Sequence, residues 1–357
     1  MTDNQEKIKL NGKIYHLNNI DELHQSHESI DSWENAIYQF LKNWFENSDF
    51  IITHTSGSTG TPKEIKLAKT AMRNSARMTN AFFELDETKT ALLCLPASYI
   101  AGKMMLVRAI MGGFNLITVE PKANPFENLE IPIDFAAITP YQLHYSAETL
   151  KLKTVRNIIV GGGHVNIKLE TLAETIPSRM YETYGMTETC SHIALRQFNG
   201  NEKTNFFKIL DGVTIRQDER NCLLINSPHL HYEELITNDI VEIIDNRSFR
   251  WMGRIDSIIN TGGIKIHPEQ IEKKLESVIP NNFFISSIND NIIENQIVLI
   301  IESNEGQSKN NFHEKFKTLL SKYEIPKQIF ILPKFVYSSS NKILKKETMS
   351  MLNLKCP

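Results

Sequence analysis

Residues 55–63 read Thr-Ser-Gly-Ser-Thr-Gly-Thr-Pro-Lys, a polar loop between two apolar segments. Its glycines let the backbone turn its N–H groups towards one point and let a phosphate come close. Its hydroxyl groups add neutral donors, and its lysine adds a mobile positive charge. It is not a Walker loop, because Pro62 and Glu64 flank the lysine where that pattern requires Gly and Ser or Thr. By composition alone the loop could also be a polar turn between two strands. The residues that could bind a phosphate are Thr55, Ser56, Gly57, Ser58, Thr59, Gly60 and Lys63.

The sequence around this loop alternates between strand and helix patterns. Strands are predicted at 49–54, a short buried strand, and at 64–69, 90–96, 115–119, 135–139 and 155–160. Helices are predicted at 33–46, 70–84, 101–111 and 167–175, with Thr70 as the cap of the second. Such alternation is typical of an α/β domain with a largely parallel sheet.

After about residue 205 the pattern changes. Residues 212–251 predict short strands with polar turns, which form a small antiparallel or barrel-like module. Residues 253–256 are the candidate boundary, and a compact α+β pattern follows. Its predicted elements are a helix from Pro268, a strand at 296–302, a helix at 311–322 and a strand at 328–337. We therefore predict a large domain of residues 1–255 and a small domain of residues 256–357.

Composition excludes several classes of protein. The chain has 357 residues, of which 41% are hydrophobic and 23% charged, so it is neither disordered nor fibrous. Its net charge of -3 offers no basic field to nucleic acid. No stretch of about 18 apolar residues predicts a membrane span, and the polar start predicts no secretory signal. The four cysteines lack metal-site spacing, so we expect reduced thiols in a cytoplasmic protein.

Five further strings follow the loop in order. They are Gly161-Gly162-Gly163, Tyr184-Gly185-Met186-Thr187-Glu188, Thr237-Asn238-Asp239, residues 253–266 and residues 338–345. Together with the loop they resemble the signature strings of the adenylate-forming superfamily, which includes acyl-CoA synthetases, aryl-CoA ligases, luciferases and peptide-synthetase adenylation domains. The resemblance implies an AMP-binding domain followed by a mobile C-terminal lid. Fewer residues precede the loop than is usual there, so we expect an N-terminal subdomain that is missing or much reduced.

The resemblance implies a nucleotide site. Tyr184 would stack on adenine, Thr187 would bond the α-phosphate of ATP and Glu188 would hold Mg²⁺. Further residues of the same site would be Gly161, Gly162, Gly163 and Gly185.

The ribose side of the nucleotide is implied by the next two strings. Asp239 would accept both ribose hydroxyls, Arg254 would meet the ribose or a phosphate, and Asp256 would be the hinge. Asn238 replaces a usual Gly, which we expect to be mild because Asn tolerates left-handed backbone.

The last string would deliver the catalytic lysine. Lys342 is the candidate, with Lys345 and Lys346 as nearby competitors, and Asn341 replaces a usual Gly. The implied reaction uses ATP, Mg²⁺ and coenzyme A in two halves. A carboxylate first attacks the α-phosphorus and releases pyrophosphate, and a thiol then attacks the acyl-adenylate. Between the halves the small domain would rotate about Asp256.

Within the superfamily, residues 95–103 and 186–193 resemble the o-succinylbenzoate–CoA ligases of menaquinone synthesis. Tyr99 would then stand beside the acyl pocket. Such a substrate is a dianion, so its unreactive carboxylate needs a cationic or donor partner. The candidates are His192, Arg196, Lys103, Arg108 and His164.

Three alternatives remain open. The chain could be another aryl- or acyl-CoA ligase, or it could load a carrier protein instead of coenzyme A. It could also be a nucleotide-binding relative without activity, although the charges at Glu188, Asp239 and Lys342 are present.

Overall fold

The computed structural model describes residues 6–25, 32–54, 64–290, 292, 294–304, 310–338 and 342–352. The predicted phosphate loop, from Thr55 to Lys63, therefore lies outside the described residues. The strands are β1 (Ile8–Leu10), β2 (Lys13–Tyr15), β3 (Phe50–His54), β4 (Glu64–Ala68), β5 (Thr90–Leu93), β6 (Asn115–Thr118), β7 (Ile133–Ile138), β8 (Val155–Val160), β9 (Arg179–Gly185), β10 (His192–Gln197), β11 (Phe207–Ile209), β12 (Thr214–Gln217), β13 (Cys222–Ser227), β14 (Tyr232–Asp245), β15 (Ser248–Arg254), β16 (Ile259–Thr261), β17 (Ile264–Ile266), β18 (Phe283–Asp290), β19 (Glu294–Glu302) and β20 (Gln328–Leu332). The α-helices are α1 (Asp21–Gln25), α2 (Trp33–Phe45), α3 (Lys69–Phe83), α4 (Ile100–Gly112), α5 (Pro140–Leu150), α6 (Ile167–Ala173), α7 (Pro268–Leu275), α8 (Asn310–Leu319) and α9 (Lys345–Ser350).

One sheet of 13 strands dominates the fold, in the order β12-β13-β14-β15-β11-β10-β9-β8-β7-β5-β6-β1-β2. Its centre, from β9 to β1, is parallel, and both flanks are antiparallel. The predicted α/β class with a parallel sheet is confirmed. The predicted antiparallel strands over 212–251 are also present, and they extend this sheet while packing on a core cluster of their own.

Both faces of the parallel centre are buried. Leu93 belongs to a core cluster shared with α2, α3 and α4, whereas its neighbour Leu92 belongs to a cluster shared with α5 and α6. Successive side chains of a strand point to opposite faces, so the sheet lies between two helical layers. No helix in the described ranges is long and apolar enough to cross a bilayer.

The C-terminal part, defined here as residues 256–352, contains the separate sheet β18-β19-β20. Strands β18 and β19 pair antiparallel, and β20 adds parallel to β19. One face of this sheet packs on α7 and α8 around Leu299 and Phe316, and the other packs on Phe335 and Met349. This part therefore has its own two-sided core.

Two local predictions were wrong. Helix α3 begins at Lys69 after Ala68, and Thr70 is not its cap: its hydroxyl instead lies 2.8 Å from Nε2 of His231. Strand β3 is buried on one face only, because Phe50 and Ile52 are half exposed. Its hairpin with β4 lies outside the main sheet, so no second layer formed by the described residues covers those side chains.

Candidate active site

The three glycines form the turn that leaves strand β8. A Cβ atom on Gly161 would lie 2.4 Å from Oγ1 of Thr183 on the neighbouring strand β9. Gly162 has a φ of 80°, in the region that side chains disfavour. The turn therefore requires glycine and presents backbone at the carboxyl ends of β8 and β9, where α/β sheets commonly bind ligands.

The predicted nucleotide-binding string ends strand β9 and turns back into β10. Gly185 pairs with His192, and a Cβ on Gly185 would lie 2.4 Å from the carbonyl oxygen of Ser191. Thr189 fastens the turn: its Oγ1 accepts from N–H of Met186 at 3.0 Å and lies 2.7 Å from the Ser191 carbonyl oxygen, to which it donates. No role was predicted for Thr189, although Ser and Thr hydroxyls commonly hydrogen-bond nearby backbone groups in turns.

Thr187 and Glu188 lie half-buried in the turn that Thr189 stabilises. The Thr187 carbonyl oxygen accepts from N–H of Cys190 at 2.9 Å. Glu188 makes no ion pair with any described residue. Its carboxylate oxygens are the donor type that Mg²⁺ takes together with phosphate and water oxygens.

Asp239, on strand β14, is the centre of a polar cluster. Tyr184 donates to its Oδ2 at 2.7 Å, and Nε1 of Trp251 donates to its Oδ1 at 3.2 Å. Arg254 lies 3.7 Å from Oδ1. Burial, followed by the charge of Asp239, raises the pKa of Tyr184 well above its usual value, so the hydroxyl keeps its proton. A carboxylate has about four acceptor positions, so capacity for ribose hydroxyls remains.

Tyr184 was predicted to stack on adenine. In the structure its hydroxyl is held by Asp239, and its ring contacts Phe249 edge to face with the centroids 5.0 Å apart. Trp251 was not predicted; it comes beside Asp239 because β14 and β15 pair antiparallel, with Val241 opposite Trp251.

The predicted hinge residue Asp256 forms a two-bond ion pair with Arg254. The distances are 2.9 Å from Nε to Oδ1 and 2.7 Å from the second nitrogen to Oδ2. Hydrogen bonds from Arg254 are the main cause that lowers the pKa of Asp256, and Asn238 contributes another. Our reason for tolerating Asn238 was wrong: it lies inside strand β14 and does not have left-handed backbone.

Lys342 lies at the end of the chain segment that returns over the C-terminal sheet. Ser338 N–H donates to the Lys342 carbonyl oxygen at 2.9 Å, next to an antiparallel bridge between Tyr337 and Ile343. Burial, then the positive charges of Arg254 and Lys345, lowers the pKa of Lys342. Lys342 therefore shares the electrostatic environment of Arg254. Lys345 pairs with Glu272 at 2.7 Å, and Lys346 is exposed.

Helix α4 carries the residues predicted for the acid. Tyr99 is its partly exposed N-cap residue, and Lys103 lies one turn later. Lys103 Nζ donates to the Ile52 carbonyl oxygen at 3.3 Å, and burial lowers its pKa. Gly102 allows the helix to approach Pro96, whose carbonyl oxygen would lie 2.3 Å from a Cβ at that position.

Two of the five candidates for the unreactive carboxylate are already paired with carboxylates of this chain. Arg196 binds Glu170 and Glu182, each at 2.7 Å. His164 lies 3.3 Å from Glu182 and 3.4 Å from Glu276. Burial opposes protonation of His164, but its hydrogen bonds to the two glutamates outweigh burial and raise its pKa to about 10.

Arg108 differs from these two. It is 2% exposed, donates to the Ser191 hydroxyl and to Sδ of Met105, and its Nε has no partner among the described residues. Burial lowers its pKa to about 9, and no described carboxylate offsets that effect. His192 lies beside it, with Nδ1 3.2 Å from the Ser191 hydroxyl and Nε2 3.3 Å from the Thr79 hydroxyl.

Burial, followed by the charge of Arg108, lowers the pKa of His192 well below its usual value, so this imidazole is neutral near pH 7. The pair therefore carries one buried positive charge without a counter-charge in the described part of the chain. A planar guanidinium in such surroundings matches a carboxylate.

Comparison with known proteins agrees with these features. The sequence model of the family described as AMP-binding enzyme matches residues 3–215. The chain belongs to this family of AMP-binding enzymes. It is also similar to the crystal structure of an acyl-CoA synthetase (AMP-forming)/AMP-acid ligase II-like protein from Dyadobacter fermentans, at 33% identity and a TM-score of 0.59, covering 93% of this chain and 98% of the other.

Two relatives carry more specific names. The 2-succinylbenzoate–CoA ligase of Staphylococcus epidermidis is 24% identical over 374 residues, covering 96% of this chain and 76% of the relative. The O-succinylbenzoate coenzyme A synthetase (MenE) of Bacillus subtilis, solved with ATP and magnesium ion, has a TM-score of 0.71 at 20% identity, covering 84% of this chain and 69% of the other. That structural likeness shows a shared fold.

Proposed function

We propose that this protein is an ATP-dependent acid–thiol ligase for an aromatic dicarboxylic acid, with 2-succinylbenzoate as the substrate and coenzyme A as the acceptor. The observation that carries the proposal is Arg108, a buried cation without a carboxylate partner in the described residues. It contacts Ser191, in the turn that also holds Thr187 and Glu188. The names of the relatives support the same acid.

The second carboxylate of such an acid would supply the missing counter-charge. Removing an arginine from water is costly unless a charged partner replaces the water. A hydrogen bond that involves a charged group contributes about 1.5–3 kcal/mol. An acid with a single carboxylate would react at the nucleotide but leave Arg108 unpaired, so the site would favour the dianion.

In the first half-reaction, an oxygen of the reacting carboxylate attacks the α-phosphorus of ATP, and the bond to pyrophosphate breaks. Asp239 accepts from the ribose hydroxyls, Tyr184 stacks on adenine, and Thr187 bonds the α-phosphate. Lys342 brings a positive charge towards the phosphate that gains negative charge. Mg²⁺ would neutralise phosphate charge, with Glu188 as its protein ligand.

In the second half-reaction, the thiol sulfur of coenzyme A attacks the acyl carbonyl carbon. The carbonyl–phosphate bond then breaks, so AMP leaves and a thioester remains. The thiol proton leaves with AMP or solvent. Because no pyrophosphate is formed here, this step does not need the charge of Lys342.

Pyrophosphate release across a set of acids tests the proposal. We expect release with 2-succinylbenzoate to exceed release with benzoate and with a medium-chain fatty acid, and mass spectrometry to detect the coenzyme A thioester. Release with fatty acids alone would refute the dicarboxylate assignment. Release without a thioester would instead favour transfer to a carrier protein, and no release with any acid would favour an inactive relative.

A further inference from the structure

Glu276 connects the C-terminal part to the loop that follows the three glycines. It lies at the end of helix α7, and its Oε1 is 3.4 Å from Nε2 of His164. Its Oε2 accepts from N–H of Ile167, the first residue of helix α6, at 2.8 Å. Beside it, Lys168 donates to the carbonyl oxygen of Pro280. The Glu276 side chain is 14% exposed, so it is largely shielded from water.

The charges around this contact favour it. His164 lies between Glu276 from the end of α7 and Glu182 from strand β9. Arg196 on β10 neutralises Glu182 from the other side, and Lys168 adds a positive charge towards Glu276. A protonated imidazole between two carboxylates makes charge-assisted hydrogen bonds, which are stronger than neutral ones.

Helix α7 also contacts the chain segment that carries Lys342. Glu272 lies four residues before Glu276, a spacing that places both on one face of α7. Glu272 pairs with Lys345 at 2.7 Å and accepts from N–H of Ile285 at 2.8 Å. Lys345 is three residues from Lys342. One turn of helix α7 therefore joins the glycine loop, through Glu276, to the segment that carries Lys342.

We propose that Glu276 is a positioning residue that fastens the C-terminal part to the glycine loop and so holds Lys342 beside the nucleotide site. The proposal rests on the proposed function for the role of Lys342. Glu276 touches no reacting atom. It would stabilise the one arrangement in which Lys342 can act, and it would affect only the half-reaction that needs that lysine.

The test compares Glu276→Ala with Glu324→Ala. Glu324 is a matched control, because it also pairs with a lysine, Lys274, at 2.6 Å and accepts a backbone N–H, but both partners lie within the C-terminal part. We expect Glu276→Ala to slow pyrophosphate release about tenfold and to leave transfer from supplied acyl-adenylate to coenzyme A unchanged. Glu276→Gln should recover part of the rate, because its amide oxygen still accepts from Ile167.

A distance measurement tests the docking without any substrate. Spin labels at Leu152→Cys and Ile292→Cys would occupy sites that are 86% and 91% exposed, in a chain where Cys356 is replaced by serine and the three described cysteines are buried. We expect one narrow distance distribution in the otherwise unchanged protein and in Glu324→Ala, and a broader one in Glu276→Ala. An unchanged distribution in Glu276→Ala would overturn the positioning role.

The two readouts separate the possible failures. If no acid is activated by the unchanged protein, the proposed function fails, while the distance distributions still test the docking. If Glu276→Ala slows both half-reactions equally and Glu324→Ala does the same, Glu276 contributes only to general stability and the proposal is wrong.

Discussion

Replacement of Arg108 by methionine should make the free protein more stable and a worse ligase for dicarboxylic acids. Methionine matches the length of the arginine stem and is apolar, so it can fill the site between Met105 and Ser191 without a buried charge. The usual effect of removing a buried arginine is destabilisation, because its carboxylate partner is left unpaired. Arg108 has no such partner among the described residues, so we expect its removal to stabilise the protein instead.

The size of the effect follows from the pKa of Arg108. A value of about 9 is caused by burial alone. Relative to an exposed arginine it corresponds to a penalty of roughly 5 kcal/mol, because one pKa unit is worth about 1.36 kcal/mol. Hydrogen bonds to Ser191 and Met105 offset part of this penalty. We therefore expect the free energy of unfolding at pH 7 to rise by about 1–3 kcal/mol.

Arg196→Met is the matched control. Arg196 is also buried, but it pairs with Glu170 and Glu182. The same substitution there should lower the free energy of unfolding by about 3–5 kcal/mol. Urea unfolding of both variants measures the change in the free energy of unfolding, which we expect to be positive for Arg108→Met and negative for Arg196→Met.

The assay for function is kcat/KM with a dicarboxylic and a monocarboxylic aromatic acid. In Arg108→Met we expect kcat/KM for 2-succinylbenzoate to fall about 10- to 150-fold, from a charged hydrogen bond of about 1.5–3 kcal/mol. The value for benzoate should change by less than about threefold. Destabilisation as large as in Arg196→Met, together with equal losses for both acids, would refute the reasoning.

Three further variants test other parts of the site. Lys342→Ala should abolish pyrophosphate release but spare coenzyme A transfer from supplied acyl-adenylate; equal loss of both activities would contradict the role of Lys342. Glu188→Gln should raise the Mg²⁺ concentration that gives half-maximal activity, measured by magnesium titration, and an unchanged titration would exclude it as a ligand. His164→Gln should reduce stability most at about pH 6, because a raised pKa stabilises the fold below about pH 6.5. The difference should vanish as the pH rises towards about 10, as unfolding curves across pH would measure.

Much of the parallel sheet could be predicted from the sequence because its strands are short apolar runs with both faces buried. Strand β8 was predicted over 155–160 and spans Val155–Val160. The hairpin β1-β2 was missed. Each of its strands has three residues, too few for a periodic pattern. Its place in the sheet depends on the pairing of Lys9 with Asn115, a contact between distant parts of the chain.

The sequence predicted which residues belong to the site, but it did not predict which of them form ion pairs. Arg108 and Arg196 both stand among apolar residues in the sequence, and only the fold shows that Arg196 reaches two glutamates and Arg108 reaches none among the described residues. Likewise, Lys342 and Lys345 are three residues apart, and only the fold shows that Lys345 is paired with Glu272. Ion pairing depends on which elements become neighbours, and local sequence patterns do not contain that information.

Asn238 illustrates how a departure from a family pattern can add a contact. We expected this residue to be tolerated in place of Gly on conformational grounds, but its backbone is ordinary strand. Its side chain instead helps to lower the pKa of Asp256, while its neighbour Asp239 binds Tyr184 and Trp251. A glycine has no side chain that could do this. Asn238 therefore acts electrostatically between the strand that carries the ribose-binding candidate and the segment that leads into the C-terminal part, a role that the family pattern of Gly does not predict.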